Sequence, residues 1–308
     1  MKKLSAWLQA SRLMSQPYIL FPLLFGAGVY LWQTGTWSFP LLILMIAYSL
    51  LLQLFIVFAN DYADESVDRI NTTYNLFSGG SRVLVEGKLS RKELRLGILW
   101  TMALSVMVVL VASFIHGRSG LILLLMISWF LLWAYSYPPL RLSYRGGGEY
   151  LQAIGVGMIL PLTGYYFQAG NLNAFPWIVL PFLLIVHLGA ALVTTLPDAP
   201  SDKIGHKRTF AVRKGIPAVI QLILVLYGMT FVVLYGWILM FLRFSWICLL
   251  LPLPAFFAYM GVCASRSKPV PAQVSMDWFV GLGVATIVLL MAELSSLLWF
   301  FPHHVALK

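Results

Sequence analysis

Asn60, Asp64 and Asp68 recur at intervals of four, and Asp198 and Asp202 repeat the interval further along the chain. On an α-helix this spacing carries the side chains along one face, with about 6 Å of rise between neighbours. The set is all oxygen, cysteine is absent from it and histidine is sparse nearby, which suits a hard cation such as Mg²⁺ that keeps waters and bridges carboxylates to substrate phosphates. Asn60, Asp64, Asp68, Asp198 and Asp202 are thus the candidate metal ligands, and a diphosphate bridged by two magnesium ions is the natural ligand. Asp61 and Glu65 lie off the main stripe and are expected to support it or to face water.

Cations flank both clusters: Arg82 and Lys88 after the first, and Lys203, Lys207, Arg208, Arg213 and Lys214 after the second. Departure of a diphosphate from an allylic carbon builds negative charge on oxygen, which Mg²⁺ and guanidinium or ammonium groups stabilise in a water-poor site. Arg82, Lys203 and Lys207 stand nearest the motifs and are the candidates for that role, with Asp64 and Asp198 at the centre of the chemistry. In Tyr135-Ser136-Tyr137-Pro138-Pro139 the prolines stop a helix and bring two tyrosines toward the same end. The face of Tyr135 or Tyr137 would shield an allylic cation or stack on an aromatic acceptor. Gly79-Gly80 and Gly146-Gly147-Gly148 lack the strand, lysine and helix context of a phosphate loop and are not read as one. Of the five histidines only His206, four residues after Asp202, falls near the clusters.

The elements that must position these residues are membrane helices. With 60% hydrophobic and 10% charged residues the chain is far from soluble composition, and apolar runs of about 20 residues recur along its whole length. Nine are expected, near 13–33, 39–63, 95–115, 119–136, 150–168, 174–197, 217–240, 244–264 and 275–300. The fold class is therefore all-α and polytopic, with nine transmembrane helices around a central cavity that opens to the cytosolic side. No linker, low-complexity tract or soluble domain interrupts it, so residues 1–308 read as one domain. Met1 to Ala10 does not read as a removable signal peptide.

The net charge of +10 is a matter of topology and not of nucleic-acid binding, because lysine and arginine concentrate on one side. The N-terminus and the loops after helices two, four, six and eight hold them all except Arg118, Arg243 and Lys308. The N-terminus is then cytosolic and the C-terminus, nine crossings later, outside, in a protein of the cell membrane. Cys248 and Cys263 lie 15 residues apart on the eighth predicted helix, roughly 22 Å of rise, too far to pair there. The two aspartate clusters end helices two and six, a weak echo of two four-helix halves followed by a final helix.

Together these residues resemble the UbiA superfamily of intramembrane prenyltransferases over nearly the whole chain. Asn60, Asp64 and Asp68 fit its first motif, Asp198 and Asp202 its second, and Lys207, Thr209 and Gly215 are similar to its Gly-Lys-x-Thr tail. Tyr135 through Arg141 fits a further signature, which adds Arg141 to Lys207 and the aspartates as diphosphate-holding positions. His206 departs from the pattern by standing where a glycine is usual, and Leu196-Pro197 replaces a Leu-Arg. Gly79 to Leu84 and Asp198 to Gly215 look closest to the branch that prenylates 1,4-dihydroxy-2-naphthoate in menaquinone synthesis. The resemblance implies Mg-dependent transfer from a prenyl diphosphate to an aromatic small-molecule acceptor, with the prenyl tail leaving sideways into the bilayer. Other acceptors of such enzymes (4-hydroxybenzoate, a porphyrin or chlorophyllide, glycerol phosphate) and terpene cyclisation stay open. The rival from another class is an ion-coupled carrier, which would place its charges at midplane on interrupted helices.

Overall fold

The computed structural model describes residues 2–72, 74, 79–241 and 273–300, and every regular element among them is helical. An amphipathic α1 (Lys2–Ser11) is followed by a 3₁₀ turn and α2 (Gln16–Thr34); α3 (Phe39–Ile70), α4 (Arg91–His116) and α5 (Gly120–Ser136) come next. A short α6 (Leu142–Arg145) leads into α7 (Gly148–Ile154), one turn of π-helix over Gly155–Ile159, and α8 (Leu160–Ala169). Then come α9 (Leu180–Thr195), short α10 (Ala199–Ile204) and α11 (Phe210–Lys214), α12 (Ile216–Phe241) and α13 (Gln273–Phe300). Eight of the expected apolar runs fall on these helices. The run at 244–264, with Cys248 and Cys263, lies outside the described residues, as do Arg243 and Lys308.

Six helical stretches among the described residues are long and apolar enough to cross a membrane, and α5 is apolar but shorter. Their outer faces are oily: Phe114 is 82% exposed and Ile178 85%. The inner face of α4 instead buries Thr101, Ser105, Ala112 and Ser113. This inversion is what lipid demands, because small residues let helix backbones approach where apolar attraction offers no advantage over the hydrocarbon. The approach is very close between α2 and α8. A Cβ on Gly26 would lie 1.9 Å from the carbonyl oxygen of Pro161, and one on Gly164 1.9 Å from that of Leu23.

At one end of the bundle the helices close with glycine caps in the left-handed region, at Gly35, Gly117 and Gly170. There Arg118 donates to the carbonyls of His116 (3.0 Å), Phe167 (2.9 Å) and Gln168 (2.8 Å). An arginine counted as an exception to the charge asymmetry is thus engaged in capping two helix ends. The opposite end gathers α1, the C-terminus of α3, the loop to α4, α6, α10 and α11, and it carries the aspartates.

Candidate active site

A cavity of about 960 Å³ opens at that end, and Asn60, Asp64 and Asp68 from α3 share its wall with Asp198 and Asp202. The stripe on α3 and the second pair, more than 120 residues apart in sequence, therefore face one space. Asp64, Asp68 and Asp202 are all at least nine-tenths buried. Buried carboxylates need partners, and the chain supplies them from distant segments.

Lys207 stands between the two motifs, with Nζ 3.0 Å from Oδ2 of Asp64 and 3.6 Å from Oδ1 of Asp202. The other oxygen of Asp64 accepts from the Tyr144 hydroxyl at 2.9 Å. Burial pulls the Lys207 pKa down, but Asp64 and Asp202 outweigh it, so the ammonium is held above its usual range and stays charged. Burial pushes Asp202 up to about 7, with Lys207 opposing and Asp198 and Asp64 reinforcing the rise. Asp198 is raised for the same reason, against Lys207 and a hydrogen bond from Asn71 Nδ2 at 2.8 Å. Burial also pushes Tyr144 up to about 12, so it donates as a neutral phenol.

The loop after α3 is fitted to these carboxylates. The Gly79 amide donates to Asp198 at 3.4 Å, and a Cβ on Gly80 would fall 2.2 Å from Oδ2 of Asp68. Both glycines have φ in the left-handed region, 77° and 72°, so side chains there are excluded by backbone and by space alike. Asp61, off the main stripe, is buried and takes Arg12 and both the amide and the hydroxyl of Ser81. It ties the N-terminal segment to the loop and does not face water.

Arg82 lines the cavity and donates to the carbonyls of Asp68 (2.8 Å) and Asn71 (3.4 Å), where the C-terminal dipole of α3 favours a cation. Its guanidinium lies 3.9 Å from the Tyr74 ring centre. Tyr135 lines the cavity, whereas Tyr137 turns away to donate to the Ala59 carbonyl at 2.7 Å. Asn60 accepts from Ser136 at 3.2 Å. Arg141 is not in the wall; it stacks 3.4 Å from the centre of the Tyr144 ring, whose hydroxyl donates to Asp64. Lys203 is exposed on α10 and outside the wall, so the structure does not bring it to the site. His206 is exposed too, with φ 60°, the conformation glycine adopts freely.

Arg12, Asn71, Ser81 and Tyr144 are the residues that sequence reasoning missed. They lie 20 to more than 120 residues from the carboxylates they serve, and no spacing announces such pairs. Thr209, also in the wall, is buried with its hydroxyl unpartnered among the described residues. Among those residues no three carboxylate, histidine or cysteine groups converge tightly enough to hold an ion alone. The donor set is nonetheless all oxygen and faces one cavity beside cations, so it fits a hard divalent ion that completes its shell with water and phosphate oxygens.

Residues 19–283 match a family model described as the UbiA prenyltransferase family. No curated protein sequence matches the chain. Among solved structures, a UbiA homolog from Archaeoglobus fulgidus bound to GPP and Mg2+ is similar at 18% identity and a TM-score of 0.63, over 94% of this chain and 99% of that one. A UbiA homolog from Aeropyrum pernix K1, in its apo form, is similar at 16% identity and a TM-score of 0.58, over 91% and 98%. A digeranylgeranylglyceryl phosphate synthase is similar at 16% identity and a TM-score of 0.56, over 96% and 99%.

Proposed function

Because this chain belongs to the UbiA prenyltransferase family, we propose that it transfers the prenyl group of a prenyl diphosphate to an aromatic acceptor inside the membrane, as one domain over residues 1–308. The observation that carries this reading is the convergence of both aspartate clusters and Lys207 on one cavity that continues downward between apolar walls. Asn60, Asp64, Asp68, Asp198 and Asp202 would hold Mg²⁺ there. When bound, the ion supplies positive charge to the leaving diphosphate oxygens.

The residues of the chain do the rest. Lys207 neutralises the pair of motifs and offers its ammonium to the diphosphate, while Arg82 adds a guanidinium at the loop. The allylic carbon to oxygen bond breaks with its electron pair leaving on the diphosphate. Tyr135 presents a ring to the resulting cation, an aromatic carbon of the acceptor attacks it, and the proton on that carbon passes to the released diphosphate. Burial of the carboxylates and the apolar wall exclude water, which would otherwise capture the cation. The acceptor we favour is 1,4-dihydroxy-2-naphthoate, on the resemblance of Gly79 to Leu84 and of Asp198 to Gly215. The charge asymmetry supports a cell-membrane protein with a cytosolic N-terminus and site and an external C-terminus.

Incubating purified protein with prenyl diphosphates of several lengths, Mg²⁺ and a panel of aromatic acids tests the reading by product mass and pyrophosphate release. A prenylated ring with stoichiometric pyrophosphate is expected. Absence of both for every combination would overturn it.

A further inference from the structure

Below the aspartates the cavity wall is mostly apolar, through Leu52, Ile56, Leu131, Val156 and Ile287, and two glutamines enter it among a few hydroxyl groups such as that of Ser128. Gln53 lies two turns before Asn60 on the same face of α3, about 10 Å of helical rise deeper. It is 4% exposed and lines the cavity. Gln152, on α7, lines it too. Both reach the same short stretch: Gln53 donates to Ser15, and Gln152 donates to the Tyr18 hydroxyl at 3.3 Å. Ser15 and Tyr18 are three residues apart, hence neighbours one helical turn apart at the start of α2.

The hydrogen-bond network fixes which way Gln53 faces. The Ser15 hydroxyl gives its own proton to the Arg12 carbonyl at 2.7 Å, so toward Gln53 it only accepts. The amide NH₂ of Gln53 must therefore point at Ser15, and its carbonyl oxygen is turned to the cavity. Among the described residues no donor meets that oxygen. The Tyr18 hydroxyl, accepting from Gln152, likewise keeps its proton for a ligand oxygen. A hydrocarbon chain has nothing to offer either group.

We propose that Gln53 and the Gln152–Tyr18 pair form the subsite that recognises the hydroxyl substituents of the aromatic acceptor. The inference rests on the reading of this cavity as a prenyl-transfer site and narrows its substrate class to hydroxylated rings. A carbonyl oxygen in an apolar wall accepts an O–H; it repels a carboxylate, whose lone pairs would face its own. A site built to hydrogen-bond a hydroxyl discriminates strongly against the analogue that lacks it, because its own polar group is then left unpaired.

The test compares 1,4-dihydroxy-2-naphthoate with its two analogues that each lack one ring hydroxyl, at a fixed prenyl diphosphate, in wild type, Gln53→Leu and the closer-shaped Gln53→Met. For at least one analogue, the wild-type preference for the diol, as a ratio of kcat/KM values, should collapse by about tenfold or more in the variants, the worth of one hydrogen bond. KM for the prenyl diphosphate should stay unchanged. Dividing the variant's ratio by the wild type's cancels the intrinsic reactivity of the rings, and a packing role for Gln53 would lower all acceptors alike. Active variants that keep the wild-type ratio for both analogues overturn the inference alone. If wild type transfers to no ring, the functional reading falls and takes this subsite with it.

Discussion

The two ends of this bundle use the same residue types for opposite purposes. At the far end, glycines end helices and Arg118 satisfies carbonyls, so polar chemistry is consumed in closing the structure. At the cavity end, Gly79 and Gly80 make room for carboxylates, and Lys207 and Arg82 are held beside them. An intramembrane arginine or glycine pair thus has no meaning by itself. Its partners decide whether it serves stability or chemistry, and the two kinds of role respond to different measurements.

The sharpest separation comes from Asp64→Asn and Asp198→Asn. Each keeps a polar group for Tyr144 or Asn71 but removes a charge, and turnover should fall below detection, at least 10³-fold, while thermal unfolding shifts little. Alanine at 64 is the poorer probe, since it would strand both Tyr144 and Lys207, where asparagine keeps one acceptor oxygen. Near-normal kcat in either variant at limiting Mg²⁺ would end the two-cluster reading.

Arg82→Gln comes next. Loss of one charge-assisted contact costs about 1.5 to 3 kcal/mol, which corresponds to roughly a 10- to 150-fold drop in kcat and kcat/KM together. Arg82→Lys should also be impaired, because lysine lacks the planar fork. Steady-state kinetics with unchanged constants in both would leave Arg82 as a helix cap only.

Arg118→Met should show the reverse pattern. Removing donors to three carbonyls should destabilise by about 2 to 3 kcal/mol in a thermal or denaturant assay in detergent, with kcat for the folded fraction unchanged. A fall in kcat without loss of stability would erase the contrast between the two ends.

The smallest effects belong to exposed residues beside the motifs. Lys203→Gln should be kinetically indistinguishable from wild type, since Lys203 faces away from the cavity; a tenfold loss would show that α10 moves during turnover. His206→Gly should raise stability by about 0.5 to 1 kcal/mol by relieving a left-handed residue. A lowered melting temperature would show that the unfolded-state entropy of glycine outweighs that strain.

Much of this architecture could be read from sequence because a bilayer constrains it so tightly. Apolar length alone located α2 to α5, α9, α12 and α13, and a four-residue period alone put Asn60, Asp64 and Asp68 on one face. The partners of the buried aspartates follow a different logic. Arg12 beside Asp61, or Asn71 beside Asp198, is a product of helix packing across the bundle, and the type of a side chain says nothing of which distant segment will meet it. The glycine pair shows the limit well: its sequence context argued against a nucleotide loop but gave no role in its place, and only the closeness of Asp68 and Tyr74 to the missing Cβ atoms reveals what the glycines are for. His206 shows the converse, since the departure from a glycine noted in sequence coincides with a backbone angle that glycine adopts without strain.

The close crossing of α2 and α8 at Gly26 and Gly164 has a meaning for anyone who would remodel this chamber. At 1.9 Å from an opposing carbonyl, the room left for growth is smaller than one methyl group, whereas Phe114 or Ile178 on the lipid side can be exchanged for almost any apolar residue. That crossing is therefore the datum of the scaffold, the point from which every other dimension is measured. Ile19 on α2 and Leu160 on α8 both belong to the cavity wall, so an alanine at either glycine would move the two faces apart together. The error would be made outside the chamber and read inside it, as a ring or a chain that no longer fits.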